Sequence, residues 1–495
     1  MNRMDGLGMD TARMITMPLC DRAVTAEVSG EYTLSDYQPE IRRLLLVEPT
    51  VLPPAKYIGA SGAEFNGTVE YQMTYVGADG GLYTAPLSAE YGFSVPLEQT
   101  GDFDLNEGVV AMASTACEGL TTRVIAPRRL SIRCRLRSHV RAYGQMLMEE
   151  RQSGAAEEGS VQRLFAEAQT MRVACGSSER IDLADEITVT GEDCRVISAD
   201  AVAFVHEVRP SEGEVEAVGE LLLKLMIGRE DGSVEQVTRR LPFEGAVEME
   251  ALGADASCRV SGVVSDLTVN VEEGKILCEI GLLLEARGME NHGLRYISDL
   301  YSTERVTDCA YREYDLPVAL KCENGNLSQS ERIPLSQINF PEGATIADAR
   351  GSVRFDNCVR SDGKYVLTGE SRYWLLCKKE GEYSVCELTL PLRYETEGCG
   401  KEPTCFDAMG EMISCRARVD GETLNLDAEL SVVADFSGVE PIRALSEASF
   451  GEKYDCQGNR IVVYYPAPED TPWSVAKKYH VSADTITQVG SYFLL

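Results

Sequence analysis

The chain has 495 residues. A single hydrophobic core does not normally support a chain of this length, so several domains are expected. Its 47 basic and 79 acidic residues give a net charge of −32, which excludes bulk nucleic acid and anionic membranes as partners of the whole surface. The 16 cysteines are spread singly from Cys20 to Cys456, without the close spacings of zinc sites or secreted disulfide frameworks. We therefore expect buried free thiols in a reducing compartment.

Residues 1–25 are predicted to form an N-terminal extension. Charged side chains such as Arg3, Asp5 and Arg13 interrupt it, so it lacks the apolar core of a signal peptide. No stretch elsewhere approaches the roughly 18 apolar residues that a transmembrane helix needs. The expected location is cytoplasmic, without membrane insertion.

After this extension, similar sequence features recur with a period of about 150 residues, which indicates an internal repeat. A glycine opens a β-rich run in each copy, with spacings of 152 and 150 residues, at Gly67, Gly219 and Gly369. A leucine gives a second anchor with spacings of 149 and 152 residues, at Leu34, Leu183 and Leu335. Because two anchors give the same period, three copies are predicted.

Each copy shows strands in which apolar and polar residues alternate, joined by glycine turns such as Asp420-Gly421. In each copy the second strand of the first hairpin is expected to end near a proline: Pro96, Pro242 or Pro391. The predicted fold class is all-β, with three tandem antiparallel β-sandwich-like modules and a small, truncated α+β segment. The predicted modules are residues 26–144, 161–315 and 316–446, the linkers are 145–160 and 447–460, and the C-terminal segment is 461–495.

Two charged stripes stand out on predicted strands of the first and third modules. Arg133, Arg135 and Arg137 alternate with apolar residues, so three guanidinium groups share one strand face. The corresponding strand of the third module carries Asp427 and Glu429. These stripes are either ordinary solvated faces or electrostatic docking surfaces that pair between modules or between chains.

The C-terminal segment contains the predicted helix. Thr471 suits the N-cap, Pro472 suits the first helical position, and Trp473, Ala476 and Tyr479 share one apolar face. A second short helix is expected to begin at Ser482 and to bury Ile486.

The run Asp470-Thr471-x-Trp473-Ser-Val-Ala-Lys-Lys-Tyr479 resembles the first half of a LysM domain, whose fold is a strand, two helices and a strand. LysM domains bind N-acetylglucosamine polymers, so the resemblance implies binding candidates at Asp470, Thr471, Trp473, Tyr479 and Ile486. Only 35 residues remain from Ile461, and a closing strand exists only if residues 492–495 supply it. Partner docking and glycan binding therefore both stay open.

The run from Ser35 to Ile41, the strand opening at Gly67, and the Asp299-x-Tyr301-Ser302 run resemble SPOCS domains of spore-coat-associated proteins. With the LysM-like tail, this resemblance implies a non-enzymatic structural protein on the mother-cell side of the forespore envelope. It would dock coat components through the filament-forming ATPase of the coat. The alternative is peptidoglycan binding through the LysM segment. The four histidines lie far apart in the sequence, and a phosphate-binding loop is lacking. We therefore expect a protein that is not an enzyme and that binds no metal and no cofactor.

Overall fold

The computed structural model describes most of the chain. The described residues are 14–59, 62–97, 108–148, 150–154, 157–176, 178–189, 194–229, 234–250, 252–253, 256–272, 274–454, 462–489 and 492–494. Strands account for 80% of the structure and helices for 4%, arranged in several antiparallel sheets, which confirms the all-β class. Residues 1–13 of the predicted extension and residues 455–460 of the second predicted linker lie outside the described part.

The first module consists of two facing sheets. Its strands are β1 (Met14–Thr33), β2 (Ile41–Val51), β3 (Ala55–Gly59), β4 (Gly62–Gly77), β5 (Leu82–Val95), β6 (Val110–Ala126) and β7 (Arg129–Leu147). One sheet centres on β4, which pairs with β2, β3 and β5, and the other has the order β1–β7–β6. Tyr71 and Tyr75 from the first sheet pack against Ile132 and Leu136 from the second.

The second module follows a short connecting strand, β8 (Arg151–Ser153), which pairs in parallel with a strand of the third module. Its strands are β9 (Val161–Cys175), β10 (Glu179–Thr188), β11 (Cys194–Ser211), β12 (Glu214–Arg229), β13 (Val234–Glu248), β14 (Ser257–Glu272) and β15 (Lys275–Ser302). One sheet has the order β11–β12–β13, and in the other β15 pairs with β9, β10 and β14.

The third module repeats this arrangement. Its strands are β16 (Arg305–Pro334), β17 (Thr345–Ser361), β18 (Lys364–Lys379), β19 (Glu382–Glu397), β20 (Cys405–Asp420) and β21 (Thr423–Lys453). One sheet has the order β17–β18–β19 and the other β16–β21–β20. The C-terminal segment holds β22 (Val463–Tyr464), helix α1 (Pro472–Tyr479), β23 (Thr487–Val489) and β24 (Tyr492–Leu494).

The closing hairpin of each module has a two-residue loop, which contains the predicted glycine in the second and third modules and Pro127 in the first. The paired residues that flank the loops are Ala126 with Arg129, Glu272 with Lys275, and Asp420 with Thr423. Gly421 has a φ of 59°, a left-handed conformation that glycine adopts without steric cost. A strand end near a proline is confirmed in the first module, where β5 ends at Val95 before Pro96, and is wrong in the other two: Pro242 and Pro391 lie inside β13 and β19, where an edge strand tolerates them.

The leucine anchor was also wrong in the second copy. The backbone N–H of Leu34 donates to Arg128, and that of Leu335 donates to Glu422, both in the loop of the closing hairpin. Val189 makes the equivalent bond, to Gly274. Val189 is six residues after Leu183, and residues an even number apart share a strand face, so Leu183 also packs against the core. The glycine spacing therefore defines the repeat.

The module boundaries stay a prediction, but several strands run through the predicted limits. Strand β1 passes the limit between residues 25 and 26, and β16 passes the limit between 315 and 316. β16 pairs with β21 along nearly its whole length, so the chain continues through the predicted limit in one strand.

The three modules form a closed ring. Gln72 of the first donates to the carbonyl of Ala199 in the second at 3.3 Å, and Lys224 of the second donates to the carbonyl of Ala349 in the third at 3.1 Å. The ring closes through an ion pair of 2.9 Å between Arg42 and Glu382. Each module also contributes to a shared apolar cluster of Val76, Leu82, Ile197, Met226, Leu376 and Tyr383.

Candidate functional site: the docked C-terminal segment

The C-terminal segment is a small folded unit built around helix α1. Thr471 occupies the N-cap, where its hydroxyl accepts from the backbone N–H of Ser474 and the Ser474 hydroxyl accepts from the N–H of Thr471. The helix thus begins where the capping pattern placed it. A single 3₁₀ turn, Ala483–Thr485, takes the place of the second helix and leaves Ile486 half-buried. β24 pairs with both β22 and β23.

Asp470 holds the loop between β22 and helix α1. Its carboxylate accepts from the hydroxyl of Tyr464 and from the backbone N–H of Ala467, both at 2.8 Å. The hydrogen bond from Tyr464 lowers the pKa of Asp470, so the carboxylate is charged at neutral pH. Asp470 and Thr471, both candidates for binding, therefore also stabilise the loop and the helix start inside the segment.

Trp473 docks the segment onto the second module. Its indole N–H donates to the Asp299 carboxylate at 2.8 Å, and its ring packs edge-to-face against Tyr301 with centroids 4.9 Å apart. One turn later, Lys477 forms an ion pair with Asp299 at 2.5 Å. The Asp299-x-Tyr301 run and the Trp473 helix, which the sequence presents as separate features, thus form one contact. We name these four residues the clasp.

Asp299 is the electrostatic centre of the clasp. Burial alone would raise its pKa, but hydrogen bonds from Lys477, Trp473 and Tyr311 outweigh burial and lower the pKa below its ordinary value. Tyr311 donates to Asp299 at 2.5 Å from strand β16. One carboxylate therefore joins strands of the second and third modules to helix α1.

Three further contacts lie at the C-terminal end of helix α1. Tyr301 donates to the carbonyl of Val481 at 2.7 Å, and Ser482 donates to the side chain of Gln162 at 3.2 Å. His480 stacks on Tyr454 with ring centroids 3.8 Å apart. The C-terminal segment is therefore fixed against the body at both ends of helix α1.

The other predicted residues of the segment lie away from the clasp. Tyr479 is 37% exposed and packs edge-to-face on Tyr464, while the nearby Tyr465 is 72% exposed. The structure thus divides the candidates: Trp473 contacts the second module, and Tyr479 and its tyrosine neighbours keep an accessible surface.

The two charged stripes have local partners among the described residues. Arg133 pairs with Glu27 at 3.2 Å, and Arg135 pairs with Glu118 at 2.9 Å, with Arg137 3.7 Å from the same carboxylate. In the part of the chain that the structure describes, none of the three forms an ion pair with Asp427 or Glu429.

The acidic stripe has other partners. Asp427 accepts from Ser330 at 2.7 Å, and Glu429 lies 3.5 Å from Arg240 of the second module. Pairing of the arginine stripe with an acidic stripe of another chain stays a prediction.

Sequence reasoning missed an ion network where the modules meet. Arg350 of the third module pairs with Glu48 of the first at 2.6 Å, with Asp200 of the second at 2.8 Å, and with Asp348 at 2.8 Å. Lys224 also pairs with Asp348. We name these five residues the axial network. Glu48, Asp200 and Arg350 each lie nineteen residues before the repeat glycine, so aligning the copies on that glycine could have found them.

A second network joins all three modules elsewhere. Arg141 of the first module pairs with Asp435 of the third at 2.5 Å, and Arg259 of the second pairs with Asp435 at 3.0 Å. Arg259 and Arg287 each pair with Asp407 at 2.7 Å. Four of the five side chains are buried and Arg287 is 13% exposed, so the charges stabilise one arrangement of the modules and disfavour others.

Among the described residues, no group of three or more His, Cys, Asp or Glu side chains is placed so that it could hold a metal ion. None of the helices described is long and apolar enough to cross a membrane. Comparisons of the chain with protein-family models, with curated proteins and with solved structures found no match.

Proposed function

We propose that this chain is a non-enzymatic structural interaction protein of the spore envelope, which docks coat components at the forespore surface on the mother-cell side. The partner implied by the SPOCS-like and LysM-like sequence runs is the filament-forming ATPase of the coat. The observation that carries the proposal is the clasp. Trp473, the most distinctive residue of the LysM-like run, binds Asp299 of the body and not an open groove.

The arrangement of the body supports this proposal. Three modules joined by buried and largely buried ion pairs form a stiff platform, because removing one partner of such a pair is costly. The clasp then holds the C-terminal segment at a defined place on that platform. A scaffold that presents a docking element in a fixed orientation has less entropy to lose on binding.

The test is co-purification of the full chain with the coat ATPase, compared with pull-down on purified peptidoglycan. We expect retention by the ATPase and not by peptidoglycan. Tyr479→Ala should weaken retention through the accessible surface, whereas Trp473→Ala should weaken it by releasing the segment. Glu469→Gln, on the same segment, serves as the matched control and should bind as the parent chain does.

Glycan binding by the C-terminal segment is the alternative. It is favoured by the pairing of β24 with β22, which supplies a closing strand of the kind that LysM domains need. Retention on peptidoglycan that is lost in Tyr479→Ala, without retention by the ATPase, would establish the alternative and refute the first proposal.

A further inference from the structure

The core of the first module contains two cysteines in direct contact. Cys117 lies on β6 and Cys134 on β7, and their sulfur atoms are 3.5 Å apart. A register shift between Cys117 and Gly119 places Cys117 opposite Leu136 and Cys134 opposite Leu120. Because Cys117 pairs with Leu136, two residues along β7 from Cys134, the two thiols occupy diagonal positions on the same, inward face of the hairpin.

The two thiols differ in access. Cys134 is fully buried between the two sheets, whereas Cys117 is half-buried on β6, the edge strand of its sheet. A small oxidant can therefore reach Cys117 first, with Cys134 directly behind it. This order, an accessible thiol backed by a second thiol, is the arrangement that converts an oxidised cysteine into a disulfide.

We propose that Cys117 and Cys134 are an oxidation site at which a hydroperoxide forms a disulfide across the β6–β7 hairpin. The Cys117 thiol gives up its proton as its sulfur attacks one peroxide oxygen, the O–O bond breaks, and Cys117 becomes a sulfenic acid, while the other oxygen leaves as hydroxide and takes up that proton to form water. The Cys134 thiol then attacks the Cys117 sulfur, its proton joins the departing hydroxyl, and a second water leaves. With hydrogen peroxide, two thiols are oxidised by two electrons and the peroxide is reduced to two waters.

The disulfide requires the sulfur atoms to close from 3.5 Å to about 2.0 Å. The product would lock the hairpin that carries Arg133 and Arg135, since Cys134 lies between these two residues on β7. The oxidation would therefore stabilise the first module at its arginine stripe.

A comparison pair exists in the third module. Cys377 and Cys386 occupy diagonal positions on β18 and β19, because Cys377 pairs with Ser384 and Cys386 with Leu375. Both are buried, with 0% and 1% exposure, so neither offers a peroxide an accessible sulfur. This pair tests whether access to Cys117 decides the reaction.

The experiment treats the reduced full-length chain with hydrogen peroxide, blocks remaining thiols, and maps disulfides by mass spectrometry. Cleavage after Glu118 separates the two cysteines into different peptides, which stay joined only by a disulfide. We expect the Cys117–Cys134 linked peptide to accumulate before any Cys377–Cys386 link. Its formation should also raise the urea midpoint of the chain, and reduction should reverse this rise.

Two variants separate the steps. Cys134→Ser should lose the linked peptide and accumulate a sulfenic acid at Cys117, detected with a dimedone probe, whereas Cys117→Ser should lose both signals. Circular dichroism confirms that each variant is folded. Absence of the linked peptide in the folded parent chain, or a Cys377–Cys386 link that forms as fast, would overturn the proposal.

Discussion

The residue Asp299 shows how one carboxylate can fix a distant part of the chain. It accepts from Trp473 and Lys477, which follow it by more than 170 residues, and from Tyr311 on the adjacent strand. Hydrogen bonds to a charged group stabilise more than neutral ones, and Asp299 is mostly sheltered from solvent. The clasp therefore depends on the charge of a single side chain.

Asp299→Asn should release the C-terminal segment from the body. The neutral amide cannot pair with Lys477, and we expect a loss of about 1–3 kcal/mol in docking free energy. Trp374 and Trp473 are the two tryptophans of the chain, so a Trp374→Phe background makes fluorescence report the docking of Trp473 alone. Asp299→Asn should shift this emission to the red.

The pH dependence of docking follows from the lowered pKa of Asp299. A carboxyl whose pKa is lowered by folding contributes stability above its unfolded pKa, about 3.9, and this stability is lost as pH falls through the folded pKa. Docking should therefore be constant across neutral pH and weaken only below about pH 4. Glu469→Gln should leave this profile unchanged. A profile in Asp299→Asn identical to that of the parent would contradict the role of the carboxylate.

At the scale of the strands, the repeat glycines are sites of close approach. A Cβ atom added to Gly369 would overlap the carbonyl oxygen of Arg354, and one added to Gly219 would overlap the carbonyl of Phe204 and the ring of Phe243. At Gly67 the added atom would lie 2.7 Å from the ring of Tyr91. The glycine recurs because the paired strand leaves no room for a side chain there.

Gly369→Ala should destabilise the third module by about 1–3 kcal/mol, because the backbone of β17 must move to admit the methyl group. Gly293→Ala is the matched control, since a Cβ at Gly293 in β15 meets no atom within 4 Å. Urea unfolding followed by circular dichroism measures both. Equal midpoints for the two variants would show that close approach does not explain the recurrence of the glycine.

The sequence predicts the strands, the glycine-turn hairpins and the helix start at Thr471 well, because alternation, turn chemistry and capping act over a few residues. It misplaces the leucine anchor, since any inward residue an even number of positions away satisfies the same pattern, as Leu183 and Val189 do. The clasp could not be predicted, because the contact of Asp299 with Trp473 depends on how β15 and helix α1 meet in three dimensions.

At the scale of the whole molecule, the axial network places two acidic side chains and one arginine at the same repeat position of the three copies. Glu48, Asp200 and Arg350 occupy the same place in successive copies, and identical side chains there would bring three like charges together. With an arginine in one copy and acids in the other two, the charges attract. Viewed strand by strand, these residues look like ordinary solvated charges, so only the closed ring reveals their role.

Arg350→Met should destabilise the ring by about 2–4 kcal/mol, because it leaves the largely buried carboxylates of Glu48 and Asp200 without their main cation. Arg354→Met, on the same strand, removes an arginine that is 41% exposed and pairs with Asp356, and should cost less than about 1 kcal/mol. Urea unfolding of the two variants gives the comparison.

Adding Glu48→Gln to Arg350→Met tests the cause of this loss. Most of the cost is the unpaired buried charge, so removing one carboxylate should recover part of the lost stability even though it removes a second polar partner. If the double variant were less stable than Arg350→Met by the full cost of Glu48→Gln alone, the two side chains would act independently. Charge matching between modules would then not be what closes the ring.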